Sequence, residues 1–244
     1  MITIKKHSPF NYLSRAGKDL LNLFYPRVCL SCDELLHDKE EILCHNCLPQ
    51  LPFTGFDFSK NNPVYEQLSK WIDIEYASSL FIFHQEGVIQ EIIHQLKYKG
   101  HQEIGKLMAD FACESYGNNS NFKQIDYIIP VPLHKKKLKQ RGYNQLTVFG
   151  KNLGNCSGIH YDENILIRKI HTESQTKKNT EERRKNVSEA FEVIQGGKYK
   201  GKHFLIIDDV MTTGATTEAC ARVILEKIPE AKVSVLTMAV VYRW

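Results

Sequence analysis

The residues best suited to chemistry lie between positions 203 and 216. Four apolar residues, 204–207, predict a short strand that is buried on both faces. Asp208 and Asp209 follow this strand, and residues 212–216 read Thr-Thr-Gly-Ala-Thr before a predicted helix. Carboxylates at the end of such a strand can bind hydroxyl groups, and a turn that leads into a helix offers N–H groups and hydroxyls to an anion. The segment therefore predicts a pentose phosphate site.

A simpler interpretation of this segment is an acidic strand end followed by a capped helix. An Asp-Asp pair alone would fit that interpretation, but the order of apolar strand, acid pair and Thr-Thr-Gly-Ala-Thr is more specific and favours a ligand site. The segment is not a Walker A loop, because it lacks the lysine that follows the second glycine of that motif.

A second candidate site is formed by four of the seven cysteines. Cys29 and Cys32 form one CxxC pair, and Cys44 and Cys47 form another. Each CxxC turn brings two thiolates to one point, and two turns complete a tetrahedral site that leaves no position for a catalytic water. The pattern predicts a structural Zn²⁺ that stabilises a segment too short to fold on its own core. Redox chemistry and unmetallated cysteines are the alternatives.

Other cysteines and histidines receive simpler interpretations. His37 and His45 lie near the four cysteines, but the fourth ligand is already supplied, so we expect them to be bystanders. Cys113, Cys156 and Cys220 are scattered through helical stretches, which predicts small buried hydrophobic side chains.

The elements that position these residues are predicted to form two units. Residues 1–52 comprise an amphipathic helix and the cysteine module, since Leu13, Ala16, Leu20, Leu21 and Phe24 repeat at helical spacing. In residues 53–244, strands alternate with helices, which indicates an α/β fold with a mostly parallel sheet flanked by helices on both faces. The predicted strands are residues 79–83, 126–133, 164–170, 204–207 and 232–242, and the predicted helices include Val88, Ile104, Leu146 and Thr216.

Composition and charge exclude few classes of function. Hydrophobic residues make up 42% of the chain and charged residues 25%, and the net charge of +4 permits a phosphate-rich ligand or nucleic acid without arguing for either. No apolar run reaches membrane-spanning length, and Pro9, Asn11 and Arg15 interrupt what would be a signal core. We therefore expect a cytoplasmic protein without a membrane span.

Two polar segments have open interpretations. Residues 134–141 form a basic loop after the strand 126–133, and they leave the same sheet edge as the strand before Asp208. Their lysines are either a solvated face or a contact for nucleic acid. Residues 172–184 lack a hydrophobic face and are either a lid or a mobile surface loop.

These motifs together resemble known proteins. Residues 203–216 resemble the phosphoribosyl pyrophosphate motif of the type I phosphoribosyltransferases. The wider chain resembles the ComF family, the competence-associated phosphoribosyltransferase-like proteins of bacteria. That resemblance is carried by the cysteine pairs and by Leu-Lys-Tyr-Lys-Gly at 96–100, Ile-Pro-Val-Pro-Leu-His at 129–134, Arg-Gly-Tyr-Asn-Gln at 141–145, Arg-Arg-Lys-Asn-Val at 183–187 and Ala-Phe at 190–191.

The resemblance implies a type I phosphoribosyltransferase-like fold and a role for each motif. Asp208 and Asp209 would be the catalytic pair that holds the ribose hydroxyls of phosphoribosyl pyrophosphate, and Mg²⁺ would be carried by the ligand's pyrophosphate. The flexible catalytic loop would contain Gln175 and Arg183. The 5-phosphate would be held by Thr212, Thr213, Gly214, Ala215 and Thr216, and the pyrophosphate by Lys135 and Arg141.

The motifs and the family resemblance are compatible with two functions from different classes. The first is a Mg²⁺-dependent phosphoribosyltransferase, a glycosyltransferase whose acceptor the sequence does not name. Purine-salvage members of the fold carry a further carboxylate where this chain has Thr212, which counts against purine salvage. The second is a non-catalytic accessory protein of DNA uptake that senses the ligand and binds single-stranded DNA or competence-machinery proteins. Tyr98 and Tyr143 would then stack on bases, unless they are core or cleft residues.

Overall fold

The computed structural model of the chain describes residues 26–37, 40–169 and 190–241. The chain divides into two compact units, Met1–Gln50 and Leu51–Trp244. The predicted N-terminal helix and the polar segment 172–184, with Gln175 and Arg183, lie outside the described residues.

The described part of the smaller unit is built from tight turns rather than long elements. The backbone N–H of Asp33 donates to the carbonyl of Cys29 at 3.0 Å, and the N–H of Cys29 donates to the carbonyl of Glu34 at 2.8 Å. Val28 and Leu35 form an antiparallel bridge around this turn. A short 3₁₀ helix, Leu48–Gln50, ends the unit. The turns bring the cysteines together without a hydrophobic core of ordinary size.

The larger unit is organised by a five-stranded sheet in the order β1-β7-β6-β2-β3, in which every pairing is parallel. Its strands are β1 (Ala77–Ile82), β2 (Tyr127–Pro130), β3 (His160–Tyr161), β6 (His203–Met211) and β7 (Lys232–Val240). Two further strands, β4 (Leu166–Arg168) and β5 (Phe191–Val193), form a separate antiparallel pair. The strand predicted at 164–170 is therefore shorter than expected and does not join the parallel sheet.

Six α-helices are described in the larger unit, and the longest have 13 residues. They are α1 (Pro63–Ser69), α2 (Val88–His94), α3 (Ile104–Tyr116), α4 (Lys135–Arg141), α5 (Leu146–Ser157) and α6 (Ala215–Lys227), and a π-helical turn, Gln95–Lys99, continues α2. Helices α3 and α5 pack closely, since a Cβ at Gly105 would lie 2.8 Å from the backbone nitrogen of Phe149. Within the described ranges, no helix is long and apolar enough to cross a membrane.

One helix was not predicted, and two local predictions were wrong, each for an identifiable reason. Helix α1 was missed because it is short, although Asn62 caps it by accepting the N–H groups of Val64 and Tyr65 at 3.0 Å. The basic segment 134–141 was predicted as a loop, but its lysines, leucine and arginine are good helix formers and become α4. Strand β6 continues four residues past the predicted end at 207, because it pairs with β7 as far as Met211.

The cysteines outside the cluster differ from one another. Cys220 is buried, as predicted. Cys113 is only partly buried, Cys156 is exposed, and the two are joined in a disulfide that links α3 to α5 with their Cα atoms 6.4 Å apart. The prediction of small buried side chains was therefore wrong for this pair. The packing of two helices brings together positions 43 residues apart, which helical spacing along the sequence does not reveal.

Candidate functional site

The carboxyl ends of β2 and β6 meet at one edge of the sheet. The two strands are parallel neighbours, with Ile129 in register with Ile206 and Pro130 with Ile207. The loop after β6 and helix α4 after β2 therefore leave from the same edge, as predicted for residues 134–141. In open parallel sheets this edge forms the ligand crevice.

Asp208 and Asp209 lie within β6, not after it as predicted. Successive side chains of a strand point to opposite faces of the sheet, so the two carboxylates have different surroundings. Asp208 is partly exposed and lines a cavity, whereas Asp209 is 6% exposed. Of the two acids, only Asp208 therefore lines this cavity.

The Asp209 carboxylate is paired on both of its oxygens. The Nζ atom of Lys97 lies 2.7 Å from Oδ1, and Nε2 of Gln145 donates to Oδ2. Gln145 in turn accepts a hydrogen bond from Nη1 of Arg141 at 2.8 Å, and the Arg141 guanidinium lies 4.9 Å from the centre of the Tyr98 ring. A buried charge requires such partners. We call these five residues the Asp209 network.

Asp208 has fewer partners. Its Oδ1 accepts the backbone N–H of Asp209 at 2.8 Å. Burial of the carboxyl group and repulsion from the Asp209 carboxylate raise the pKa of Asp208 to about 8. Thr237 is in register with Asp208 on β7, and its buried hydroxyl has no hydrogen-bond partner within the described part of the chain. Asp208 and the buried Thr237 hydroxyl therefore lie side by side on one face of the sheet.

The turn between β6 and α6 encloses a cavity of about 50 Å³, lined by Asp208 and residues 210–217. The first-turn N–H groups of a helix have no partner within the helix. Gly214, the residue before α6, has no side chain to cap them and adopts a φ of 79°. Thr212, Thr213 and Thr216 line the same cavity, and Oγ1 of Thr213 accepts the N–H of Ala215 at 3.5 Å. This arrangement offers donors to an anion, and a small oxyanion such as phosphate is the matching ligand.

Helix α1 holds this turn from one side. Nε2 of Gln67 donates to the carbonyl oxygen of Thr212 at 2.9 Å. A Cβ at Gly214 would lie 2.8 Å from Cδ2 of Leu68, and the positive φ also disfavours any other residue there. The turn is thus fixed by one hydrogen bond and one close contact, both from an element that the sequence did not predict.

The two basic residues that were predicted to bind the pyrophosphate lie in different surroundings. Arg141 belongs to the Asp209 network, whereas Lys135 is exposed in the first turn of α4. Sequence reasoning missed Lys97, Gln145 and Gln67 as site residues. Lys97 and Gln145 lie in the motifs 96–100 and 141–145 that carried the family resemblance, so a signal existed for them. No sequence signal pointed to Gln67.

The four cysteines of the smaller unit form a compact cluster. The sulfur atoms of Cys29, Cys32, Cys44 and Cys47 all lie within 4.8 Å of one another, and those of Cys32 and Cys44 are 3.6 Å apart. Tetrahedral zinc with Zn–S bonds of about 2.3 Å places its sulfur ligands about 3.8 Å apart. The cluster could therefore hold a metal such as zinc. His45 contacts Glu40 at 3.2 Å instead, and in the described residues the candidate metal cluster contains cysteines alone.

The sheet order, the turn between β6 and α6 and the four-cysteine unit define an α/β protein with a parallel sheet and a small candidate metal module. Solved structures with some likeness include adenine phosphoribosyltransferase from Leishmania tarentolae, with a TM-score of 0.36, 15% identity and coverage of 75% of this chain and 89% of that one. Another is the glutamine phosphoribosylpyrophosphate amidotransferase of B. subtilis, with a TM-score of 0.36, 15% identity and coverage of 59% of this chain and 26% of that one.

Curated relatives confirm the resemblance to the ComF family. Competence protein F of Haemophilus influenzae is 25% identical over 229 residues, which are 90% of this chain and 99% of that protein. Competence protein ComFC of Bacillus subtilis is 30% identical over 163 residues, 64% of this chain and 62% of that protein. DNA utilization protein YhgH of Escherichia coli K12 is 27% identical over 140 residues, 56% of this chain and 61% of that protein. The last two alignments thus span about three fifths of those relatives, and no family model matches the chain.

Proposed function

We propose that the chain binds phosphoribosyl pyrophosphate with Mg²⁺ at the carboxyl end of β6. The observation that carries the proposal is the cavity in which the Asp208 carboxylate and the first turn of α6 face the same space. The 5-phosphate occupies the turn at 212–216, and the ribose hydroxyls reach the acids. The Mg²⁺ ion is held by the ligand's pyrophosphate, which is how this cation is commonly bound.

The proposed reaction is the transfer of the phosphoribosyl group. The bond between ribose C1 and the pyrophosphate oxygen breaks, and a nitrogen nucleophile of the acceptor forms a new bond to C1. The chain's own residues position the ribose, exclude water and neutralise the leaving group. Thr212 supplies no carboxylate to manage a proton on a purine, so we propose an acceptor other than a salvaged purine.

Binding and turnover can be tested separately. Calorimetric titration with Mg²⁺ and phosphoribosyl pyrophosphate is expected to show one site per chain, and ribose 5-phosphate should bind more weakly at the same site. Pyrophosphate release is then measured with a panel of nucleobases and amines. Binding without release from any acceptor supports the sensor described next, and the absence of binding contradicts the proposal.

A second candidate function is a non-catalytic accessory protein of DNA uptake that senses the ligand and binds single-stranded DNA or competence proteins. The observation that favours it is the exposed basic surface of α4, at the same sheet edge as the ligand cavity. This surface consists of Lys135, Lys136, Lys137 and Lys139. The names of the relatives, competence protein and DNA utilization protein, support the same role.

If α4 binds single strands, affinity is expected to fall steeply with salt, with a slope of about 0.7 per phosphate contacted. Replacing Lys136, Lys137 and Lys139 with Gln should flatten that slope, because phosphate contacts release counterions, while phosphoribosyl pyrophosphate binding stays within about twofold. Fluorescence anisotropy of a labelled oligonucleotide over a salt series measures the slope. Loss of ligand binding with unchanged DNA binding would instead assign α4 to the pyrophosphate alone.

The smaller unit is proposed to hold one structural Zn²⁺ on Cys29, Cys32, Cys44 and Cys47. The sulfur separations support a tetrahedral site, and four protein ligands leave no open position for catalysis.

A further inference from the structure

Two cations from different elements converge on the Asp209 carboxylate. Lys97 comes from the π-helical turn after α2 and contacts Oδ1, while Arg141 comes from the end of α4 and reaches Oδ2 through Gln145. Tyr98, the neighbour of Lys97, makes a cation–π contact with the Arg141 guanidinium. The two positive groups are therefore held close together at the sheet edge where the ligand is expected.

The π-helical turn Gln95–Lys99 is held in place by specific contacts. The Tyr143 hydroxyl donates to the carbonyl oxygen of Leu96, and Gly100 ends the turn with a φ of 87°. Single π turns occur frequently at functional sites. The side chain of Lys97 remains 20% exposed, so its ammonium is reachable from solvent even while it pairs with Asp209.

The charges at this edge require compensation when an anion binds. Phosphoribosyl pyrophosphate is a polyanion, and it must approach Asp208 and Asp209. Lys97 forms the only ion pair with either acid among the described residues. When a ribose hydroxyl donates to Asp209, the carboxylate has a new partner, and the ammonium, which has three donors, can add a second acceptor.

We propose that Lys97 is a ligand-binding residue: its ammonium pairs with Asp209 until the ligand enters and then pairs with the pyrophosphate group. The inference rests on the proposed function and adds a residue outside the predicted pyrophosphate segment 134–141. It explains why a lysine and an arginine converge on one carboxylate, since two cations match the charge of a pyrophosphate better than one.

Lys97→Met is expected to weaken binding of phosphoribosyl pyrophosphate and of inorganic pyrophosphate at least tenfold, both measured with Mg²⁺ by calorimetry. Ribose 5-phosphate lacks the pyrophosphate, so its affinity should change by less than about threefold. Lys99→Met is the matched control, because Lys99 is an exposed lysine on the same turn, and it should bind all three probes as the wild type does.

A second pair of variants tests the same inference if Lys97→Met fails to fold. Lys97→Met leaves Asp209 without its counter-ion, and an uncompensated buried charge is destabilising. Asp209→Asn and Asp209→Asn/Lys97→Met differ only in the lysine and both lack the buried Asp209 carboxylate, so pyrophosphate should bind at least tenfold more weakly to the double variant. Equal pyrophosphate affinity in this pair overturns the inference.

The outcomes separate this inference from the proposed function. A wild type that binds phosphoribosyl pyrophosphate and pyrophosphate, with all three probes weakened by one common factor in Lys97→Met, leaves the function standing and reduces Lys97 to a structural partner of Asp209. A wild type that binds neither ligand overturns both proposals.

Discussion

Replacing Cys44 with Ser is expected to release the metal from the smaller unit and to unfold that unit. Cys44 is fully buried, and within residues 26–37 and 40–50 the other buried hydrophobic residues besides cysteines are Ile42 and Leu43. Two such side chains contribute only about 3–6 kcal/mol on burial, which does not offset the entropy of ordering the segment. Structural zinc contributes about 10–16 kcal/mol in comparable small domains, so its loss should dominate.

Metal analysis of the purified full-length chain should find about one zinc per molecule, and the Cys44→Ser variant should retain far less. Limited proteolysis should then cleave the smaller unit of the variant first. The matched control is His45→Ala, because His45 is the next residue, is exposed and contacts Glu40 rather than the cluster. It should keep its zinc. A folded wild type that contains no metal would contradict the zinc proposal.

Replacing both Asp208 and Asp209 with Asn is expected to weaken binding of Mg²⁺-phosphoribosyl pyrophosphate by about 2 kcal/mol or more, roughly 30-fold. The substitution keeps side-chain volume and removes the charge that strengthens hydrogen bonds to the ribose hydroxyls. The two single variants should differ in their effects on ligand binding and on stability. Asp208→Asn should chiefly affect binding, whereas Asp209→Asn also removes the partner of Lys97 and should cost roughly 1–3 kcal/mol of stability.

The pH dependence of binding gives a second measurement on the same acids. The pKa of Asp208 is raised to about 8 by burial and by the Asp209 carboxylate. Hydroxyl donors favour the ionised carboxylate, so binding lowers this pKa and releases a proton. Affinity should therefore rise with pH and level off above about 8, with up to about a tenfold loss per pH unit below that value.

Calorimetry over a pH series, corrected for ligand ionisation with Asp208→Asn as the reference, measures this slope. The Asn variant has no proton to release at that position, so the slope assigned to Asp208 should disappear. Unchanged affinity of the double Asn variant in the presence of Mg²⁺ would show that the ligand site lies elsewhere.

Several features could be predicted from the sequence because their signals are local. The two CxxC pairs identified the candidate metal cluster, and the apolar run before Asp208 identified β6 and the turn after it. Helices α2, α3 and α5 were predicted from apolar residues at helical spacing, α6 was predicted after the turn at 212–216, and the alternation of strands and helices indicated the parallel sheet. In each case the information lies within a few residues, at the period of the element itself.

The tertiary structure alone decided which side chains meet. Lys97, Gln145 and Asp209 lie far apart in the sequence and come together only because the turn after α2, the start of α5 and strand β6 pack against one another. The strand geometry of β6 sends Asp208 and Asp209 to opposite faces, so two adjacent acids that look equivalent in sequence have different partners. The Cys113–Cys156 disulfide arose in the same way, from the packing of α3 on α5. Such contacts depend on packing between distant segments, so the periodicity of a single segment does not predict them.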